Sequence, residues 1–314
     1  MNILITGGMG FIGHNVVRIF EDCKDNVSII DNKTNYGIIP QNNLDYLMAE
    51  RLSRITARNI TISDISKPFD DKIFEGVDLV IHLASFPRQK VVNKNPSAGS
   101  RVMSEGLLNL LELSVKHKVK RFVYASSSMV YGNFDHTSIK EDTSCMPIGQ
   151  YGIMKLAGEW LVRDYTRQYG LAHTIVRPSA VYGPYDVEDR VISKFFAAAM
   201  RGGKLIVNGA DESLDFTFVD DTAMGIVLAA TSENSVNKTY NISRGESHTL
   251  LEAATLITKI VGKGSIIIND RDPSYPVRGQ LSIQQAKKDL GYTPGIDLEP
   301  GLVTYYDWLK QVNL

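Results

Sequence analysis

Cysteine is scarce: Cys23 and Cys145 are the only 2 in 314 residues. That is too few for a disulfide framework, and neither sits in a C-x-x-C or histidine-rich spacing of the kind that holds a metal. A reducing compartment and no metal site are expected. An excess of one charge is also missing. Lys plus Arg (34) nearly cancels Asp plus Glu (35), so no global field gathers nucleic acid or an anionic membrane. No uncharged apolar run approaches the roughly 18 residues of a membrane-spanning helix. Segment 1–13 is apolar but carries four glycines and no basic flank, unlike a secretory leader. The expectation is a cytoplasmic protein with no nucleic-acid or membrane partner. Repeats and low-complexity tracts are absent too, which excludes solenoids and flexible tethers. What remains, 43% hydrophobic and 22% charged residues over 314 positions, is a globular balance with length for about two domains.

Short apolar runs recur at Asn2 to Thr6, Val27 to Asp31, Asp78 to Ala84, Phe122 to Ser126 and Thr174 to Pro178, each followed by a turn cluster and a stretch of helical spacing. Such runs, apolar on both faces, predict the strands of a parallel sheet covered by helices on both sides. Helices are predicted over Ser100 to Val115, over Lys155 to Gln168 and near Asp220 to Thr231. The rhythm weakens after Ser179, where Tyr182-Gly-Pro, Gly202-Gly and Asn208-Gly interrupt it. The fold class expected is α/β: a Rossmann-like, doubly wound parallel sheet with a smaller C-terminal α/β domain. The first domain takes in 1–178 and about 215–245, the second 179–214 and 246–314. Lys33 to Leu52 reads as an unusually long connection, well beyond the ~2–6 residues common after a strand. The basic run from Lys116 to Arg121 lies where a helix ends, so its cations complement the helix C-terminus and need no anionic ligand.

Directly after the first run comes Thr6-Gly7-Gly8-Met9-Gly10-Phe11-Ile12-Gly13, which opens a helix. Glycines at 7, 10 and 13 let the backbone turn tightly and approach a pyrophosphate, and the helix N-terminus supplies free N–H groups and a positive dipole end. The preceding strand, the following helix and Asp31 at the next strand end agree with a dinucleotide site. Asp31 can accept hydrogen bonds from a ribose diol and would repel a 2′-phosphate, which favours NAD over NADP. Asp64 either reaches the adenine amino group or merely caps a turn. Tyr151 and Lys155 stand four apart on one helix, within mutual reach. A phenol of pKa about 10 needs help to act as a base at neutral pH, and a nearby ammonium favours the phenolate. Ser127, at the end of the preceding strand, could hold a substrate oxygen for proton transfer.

Taken together, Thr6-Gly-Gly-x-Gly-x-x-Gly13, His82-Leu-Ala-Ser85, Ser127-x-x-Val-Tyr-Gly132, Tyr151-x-x-x-Lys155, Arg177-Pro-Ser-Ala-Val-Tyr-Gly-Pro184 and Phe216-Thr-Phe-Val-Asp-Asp221 stand in one order. That order resembles the extended short-chain dehydrogenase/reductases acting on nucleotide sugars. The tail, Pro276-Val-Arg-Gly279 with Ala286-Lys-Lys-Asp-Leu-Gly-Tyr292, extends the resemblance nearly end to end. It implies Tyr151 as general base and acid, Lys155 as anchor of the nicotinamide ribose, and Ser127 on the reacting hydroxyl. It further implies NAD contacts from Gly7, Gly10, Phe11, Ile12, Asp31, Asn32, Asp64, Ile65, Leu83, Ala84, Ser85, Tyr151, Lys155 and Pro178. Arg88, Ser127, Ser179 and Arg278 would contact the nucleotide-diphosphate sugar, with Arg278 gripping the diphosphate. The resemblance also implies a homodimer built on helices around 100–116 and 151–168.

Departures narrow the reaction. Sugar 4,6-dehydratases carry Asp-Glu after the serine or threonine; Ser128 and Met129 stand here, which excludes dehydration. Leu214 and Met103 occupy places where an arginine and an asparagine are usual, so one diphosphate clamp is missing. Ser179 and Ala180 replace a common asparagine and point to an unusual sugar. A nucleotide-sugar 4-epimerase is the leading expectation. Its rivals are a 4-dehydrogenase releasing a keto sugar, a GDP-heptose for surface polysaccharide among the substrates considered, and a non-catalytic dinucleotide-binding module.

Overall fold

A computed structural model describes residues 1–57, 59–134, 138–186 and 190–312. The chain begins β1 (Asn2–Thr6), α1 (Gly13–Asp22), β2 (Asn26–Asp31), α2 (Gln41–Ser53), β3 (Asn59–Ile62) and β4 (Leu79–His82). Next come α3 (Gln89–Lys94), α4 (Pro96–Ser100), α5 (Gly106–Lys116), β5 (Arg121–Ala125), α6 (Gln150–Tyr169) and β6 (His173–Pro178). The C-terminal part runs β7 (Val181–Tyr182), α7 (Val191–Met200), β8 (Lys204–Asn208), β9 (Ser213–Leu214), β10 (Thr217–Phe218), α8 (Val219–Thr231) and β11 (Lys238–Ile242). It ends with β12 (His248–Thr249), α9 (Leu250–Val261), β13 (Ser265–Asn269), α10 (Gln284–Leu290) and α11 (Leu298–Leu309).

Seven parallel strands form the central sheet in the order β11-β6-β5-β4-β1-β2-β3. Every strand but the edge strand β3 buries residues in a run. Ile3 and Ile5 of β1 join one core with Ile29 and Ile81, while Leu4 between them joins the other with Ile30 and Val80. The first core lies under α1 and α8, the second under α5 and α6. This alternation, with helices on both faces, is what a doubly wound parallel sheet requires. The direction of winding reverses between β1 and β4, so the connections leaving their C-terminal ends diverge and open a crevice. A further core, with Phe195, Phe196, Leu205, Ile257, Leu302 and Tyr305, packs the C-terminal helices around the parallel pair β8–β13. Phe11 of the glycine loop and Leu47 of α2 belong to it, so the two cores meet at the crevice.

Two expectations need correction. Lys33 to Leu52 is not one long connection: α2 takes up Gln41–Ser53 and leaves only a short loop before it. The helix buries Leu44 and Leu47 together with Arg51, and a cation at a core position breaks the apolar period that would announce it. Arg51 is held there by donating to the Tyr185 carbonyl at 2.7 Å and the Met9 carbonyl at 3.5 Å. The helix expected from Ser100 begins at Pro96 instead, capped by Asn95, whose side chain accepts from the Ala98 N–H at 3.2 Å. It passes through a π-helical turn at Arg101–Glu105 before α5. Among the described residues no helix is long and apolar enough to cross a membrane.

Candidate active site

The crevice is a cavity of about 900 Å³ bounded by the loops after β1, β2, β4 and β5, the first turn of α6, and the segment after β13. At its floor the chain turns so tightly that glycine is required. Gly7 has φ +72°, and a Cβ there would lie 2.7 Å from the Ala84 nitrogen; a Cβ on Gly13 would collide with the Gly7 carbonyl oxygen. The loop therefore sits flush against the β4 connection and aims the start of α1 into the cavity, a cradle that fits a pyrophosphate. Thr6 ties the two loops together. Its hydroxyl meets His82 Nδ1 at 2.7 Å and accepts from the Ala84 N–H at 3.3 Å. Burial pushes His82 down to about 3, with Lys155 adding to the effect, so this histidine is a neutral structural partner.

Asp31 closes the β2 end. Its carboxylate accepts from the Met9 N–H at 3.0 Å and the Lys33 N–H at 2.9 Å, and burial raises its pKa against those bonds. It faces the cavity beside Asn32, where a ribose diol would complete its hydrogen bonding.

Tyr151 lies in the first turn of α6 and Lys155 one turn on, both facing the cavity wall with Ser127. Burial raises the Tyr151 phenol; the groups opposing that rise are the Arg190 guanidinium, the Ser127 hydroxyl hydrogen-bonded to it, and Arg278. The Lys155 ammonium is itself buried, which pushes it down to about 7 despite Glu159. It donates to the Ala125 carbonyl at 2.7 Å and lies over the Tyr124 ring, with the Tyr151 ring centroid 5.9 Å away. Ser127 is fixed by accepting from the Met129 N–H at 3.2 Å.

Of the residues singled out in the sequence, Gly7, Gly10, Phe11, Ile12, Asp31, Asn32, Ile65, Leu83, Ala84, Ser85, Arg88, Ser127, Tyr151, Lys155, Pro178 and Arg278 all line this one cavity. Asp64 and Ser179 do not. Asp64 Oδ1 accepts from the Ser66 N–H at 3.0 Å and the Ser66 hydroxyl at 2.7 Å, the turn-capping role. Ser179 is buried behind the wall and accepts from Arg278 at 3.1 Å. Leu214 lines the cavity, whereas Met103 is buried with Phe86 and Val92, so neither position offers a donor to an anion. Further cations come from places no motif marked: Lys90, Arg190 and Lys194 join Arg88 and Arg278 in the wall. Burial, Lys90 and Arg88 all push the Lys194 ammonium down, the sign of positive charges crowded together. Lys194 and Arg190 sit within the turn-rich stretch, where only the fold reveals which way they face.

A family model described as the NAD dependent epimerase/dehydratase family matches residues 3–243. The chain is 30% identical, over 99% of both chains, to the uncharacterized UDP-glucose epimerase YtcB of Bacillus subtilis. The crystal structure of UDP-glucuronic acid 4-epimerase from Bacillus cereus, with UDP-glucuronic acid and NAD, is similar with a TM-score of 0.90 at 27% identity, over 99% of each chain. UDP-glucose 4-epimerase from Thermotoga maritima, solved with UDP-glucose, is similar with a TM-score of 0.87 at 28% identity, again over 99% of each chain.

Proposed function

The chain belongs to the NAD-dependent epimerase/dehydratase family, and from that premise we propose that it is an NAD-dependent nucleotide-sugar 4-epimerase. The observation that carries this reading is the convergence of Tyr151, Lys155 and Ser127 on the cavity floored by the glycine loop, with Ser128 and Met129, neither an acid, beside them. Residues 1–178 with about 215–245 hold the dinucleotide, and 179–214 with 246–314 hold the nucleotide sugar.

Ser127 and Tyr151 hold the sugar's C4 hydroxyl between them. Tyr151 accepts its proton, and the Lys155 ammonium orients the nicotinamide ribose. NAD, when bound, would supply the hydride acceptor and donor for C4. Tyr151 then returns the proton to the C4 oxygen once the keto sugar has presented its other face, so the enzyme needs no external oxidant. Arg88, Lys90 and Lys194 supply the positive charge for the diphosphate. Without an acid at 128 or 129 nothing withdraws a neighbouring proton to expel water, in line with epimerisation over dehydration.

The experiment is mass-resolved chromatography of UDP-, GDP-, dTDP- and CDP-sugars incubated with enzyme and NAD, with absorbance followed for reduced dinucleotide. A new peak of unchanged mass without accumulating reduced dinucleotide supports the epimerase. A product lighter by two hydrogens, matched by reduced dinucleotide, overturns it in favour of a dehydrogenase.

The same reading takes the protein as a cytoplasmic homodimer. Exposed Ile153 and Trp160 on α6 offer an apolar face to a second copy, and the free cysteines Cys23 and Cys145 suit a reducing compartment. Sedimentation showing only monomer at micromolar concentration would overturn the dimer.

A further inference from the structure

Tyr185 follows β7 with its backbone in the left-handed region, φ +71°, a conformation that is unfavourable for a bulky side chain and persists only where its surroundings enforce it. Elements from both halves of the chain do so. The ring meets His14 of α1 edge to face with centroids 5.5 Å apart, lies 5.0 Å from the Trp308 ring of α11, and has the Arg54 guanidinium over its face at 4.3 Å. The Tyr185 carbonyl accepts from Arg51 Nη2 at 2.7 Å. Arg51 Nη1 reaches the other way, to the Met9 carbonyl at 3.5 Å, and the Met9 N–H donates to Asp31 at 3.0 Å. Gly10 is held from the same side. Burial keeps His14 neutral, and its Nε2 accepts from Arg54 at 3.0 Å, so Nδ1 carries the proton that it donates to the Gly10 carbonyl at 3.0 Å.

One guanidinium thus grips the crest of the glycine loop and the turn that leads into the opposite wall of the cavity. Asp186, next in the chain to Tyr185, is buried and lies 3.5 Å from Arg190 Nε. Arg190 lines the cavity, donates to the Val181 carbonyl at 3.2 Å and lies over the Phe11 ring of the glycine loop at 5.5 Å. A cation at a core position is a poor means of stabilising α2 by itself, since an apolar residue of similar volume does that as well or better. What arginine adds is a rigid planar fork, whose N–H directions are fixed, so the two carbonyls it holds cannot shift independently. Ordering the glycine loop under a dinucleotide reduces the freedom left to the Tyr185 turn, and a ligand against the opposite wall does the same in reverse. We propose that Arg51 is a positioning residue that couples the two halves of the site, so that dinucleotide and nucleotide sugar each bind more tightly when the other is in place. The coupling rests on the proposed reaction, which requires both ligands at once.

The test titrates NAD into wild type, Arg51→Lys and Arg51→Met, with and without a saturating nucleoside diphosphate that cannot turn over, whichever of UDP, GDP, dTDP and CDP binds wild type most tightly. In wild type the diphosphate should tighten NAD binding at least about fivefold. Arg51→Met should bring that ratio close to one, and Arg51→Lys, a point charge without the fork, should leave it below about half the wild-type value. Reciprocity requires the same ratio when the diphosphate is titrated with and without NAD, which checks the measurement. A side chain that only braced α2 would lower thermal stability and both affinities and leave their ratio unchanged. A wild-type ratio near one, or a wild-type ratio retained in both variants, overturns the coupling while the epimerase reading stands. Failure of wild type to bind NAD, or to bind any of the four diphosphates, removes both. If Arg51→Met does not fold, the wild-type ratio and Arg51→Lys, which keeps the buried charge, decide the matter.

Discussion

Arg177 and Glu159 form a fully buried two-pronged ion pair, Nε to Oε1 at 2.8 Å and Nη2 to Oε2 at 2.7 Å. The pair joins β6 to α6, the helix that carries Tyr151 and Lys155. Glu159 also accepts from the Ser126 hydroxyl at 2.6 Å, one residue before Ser127, and from Arg163 at 3.1 Å. Those donors hold the Glu159 carboxyl below its usual pKa against the opposing effect of burial. Removing one partner leaves an unpaired buried charge, at a cost of roughly 3–5 kcal/mol. Glu159→Ala should therefore lose about that much stability in urea unfolding, and a loss below about 1 kcal/mol would show that the pair is not what fixes α6 to the sheet.

Tyr151→Phe removes the acid and base while keeping the ring that packs beside Lys155. Turnover should fall by at least ~100-fold, with thermal stability and NAD affinity near those of wild type. Chromatographic assay and a dinucleotide titration on the same preparation separate the two effects. Retained turnover would move the proton transfer to another group.

The glycine-loop side of the cavity was largely legible in the sequence, because that side is built from contiguous backbone. Gly7, Gly10, Asp31 and the loop from Leu83 to Ser85 stand at strand ends, where the short apolar runs and the glycine spacing locate them without knowledge of the fold. The opposite side, with its cations, was legible only in part. Lys90, Arg190 and Lys194 reach the cavity through the packing of α3 against α6 and of α7 against α9 and β8, and neither helix carries a motif. Ser179 follows Pro178 at the end of β6, which suggested a ligand, yet its hydroxyl turns inward to brace Arg278. α2 went unread because Arg51 takes a core position on hydrogen bonds to carbonyls that only the folded chain supplies. In each case the missing information is a long-range contact, invisible to local periodicity.

Burial of Lys155 sets a pH dependence of stability. Its folded-state pKa is lowered to about 7 from an ordinary 10.5, so between those limits the unfolded chain binds more protons than the folded one. Stability from this group rises as pH climbs from about 7 toward 10 and is flat below 7. Lys155→Met, which keeps the length of the chain and removes the titration, should flatten that rise in dinucleotide-free protein. Thermal melts of both proteins across pH 6–10 provide the difference curve. Parallel curves would mean that the ammonium is well solvated or paired in the folded protein.

On the proposed function, Asp31 is the residue that selects between the two dinucleotides. Its carboxylate already takes N–H bonds from Met9 and Lys33, which fixes it at the mouth of the ribose site, and burial weakens the screening of its charge. A 2′-phosphate brought there would meet a like charge at a cost of several kcal/mol, so NAD should bind wild type at least ~100-fold more tightly than NADP. Asp31→Asn keeps the shape and one acceptor for the Met9 or Lys33 N–H while removing the charge. Its preference for NAD should shrink at least about tenfold, mostly through tighter NADP binding, since the nearby Arg51 and Lys33 cations are then no longer offset. Fluorescence titration of both dinucleotides measures the ratio. A preference unchanged in Asp31→Asn would show that ribose recognition rests on the shape of the loop and not on the charge of Asp31.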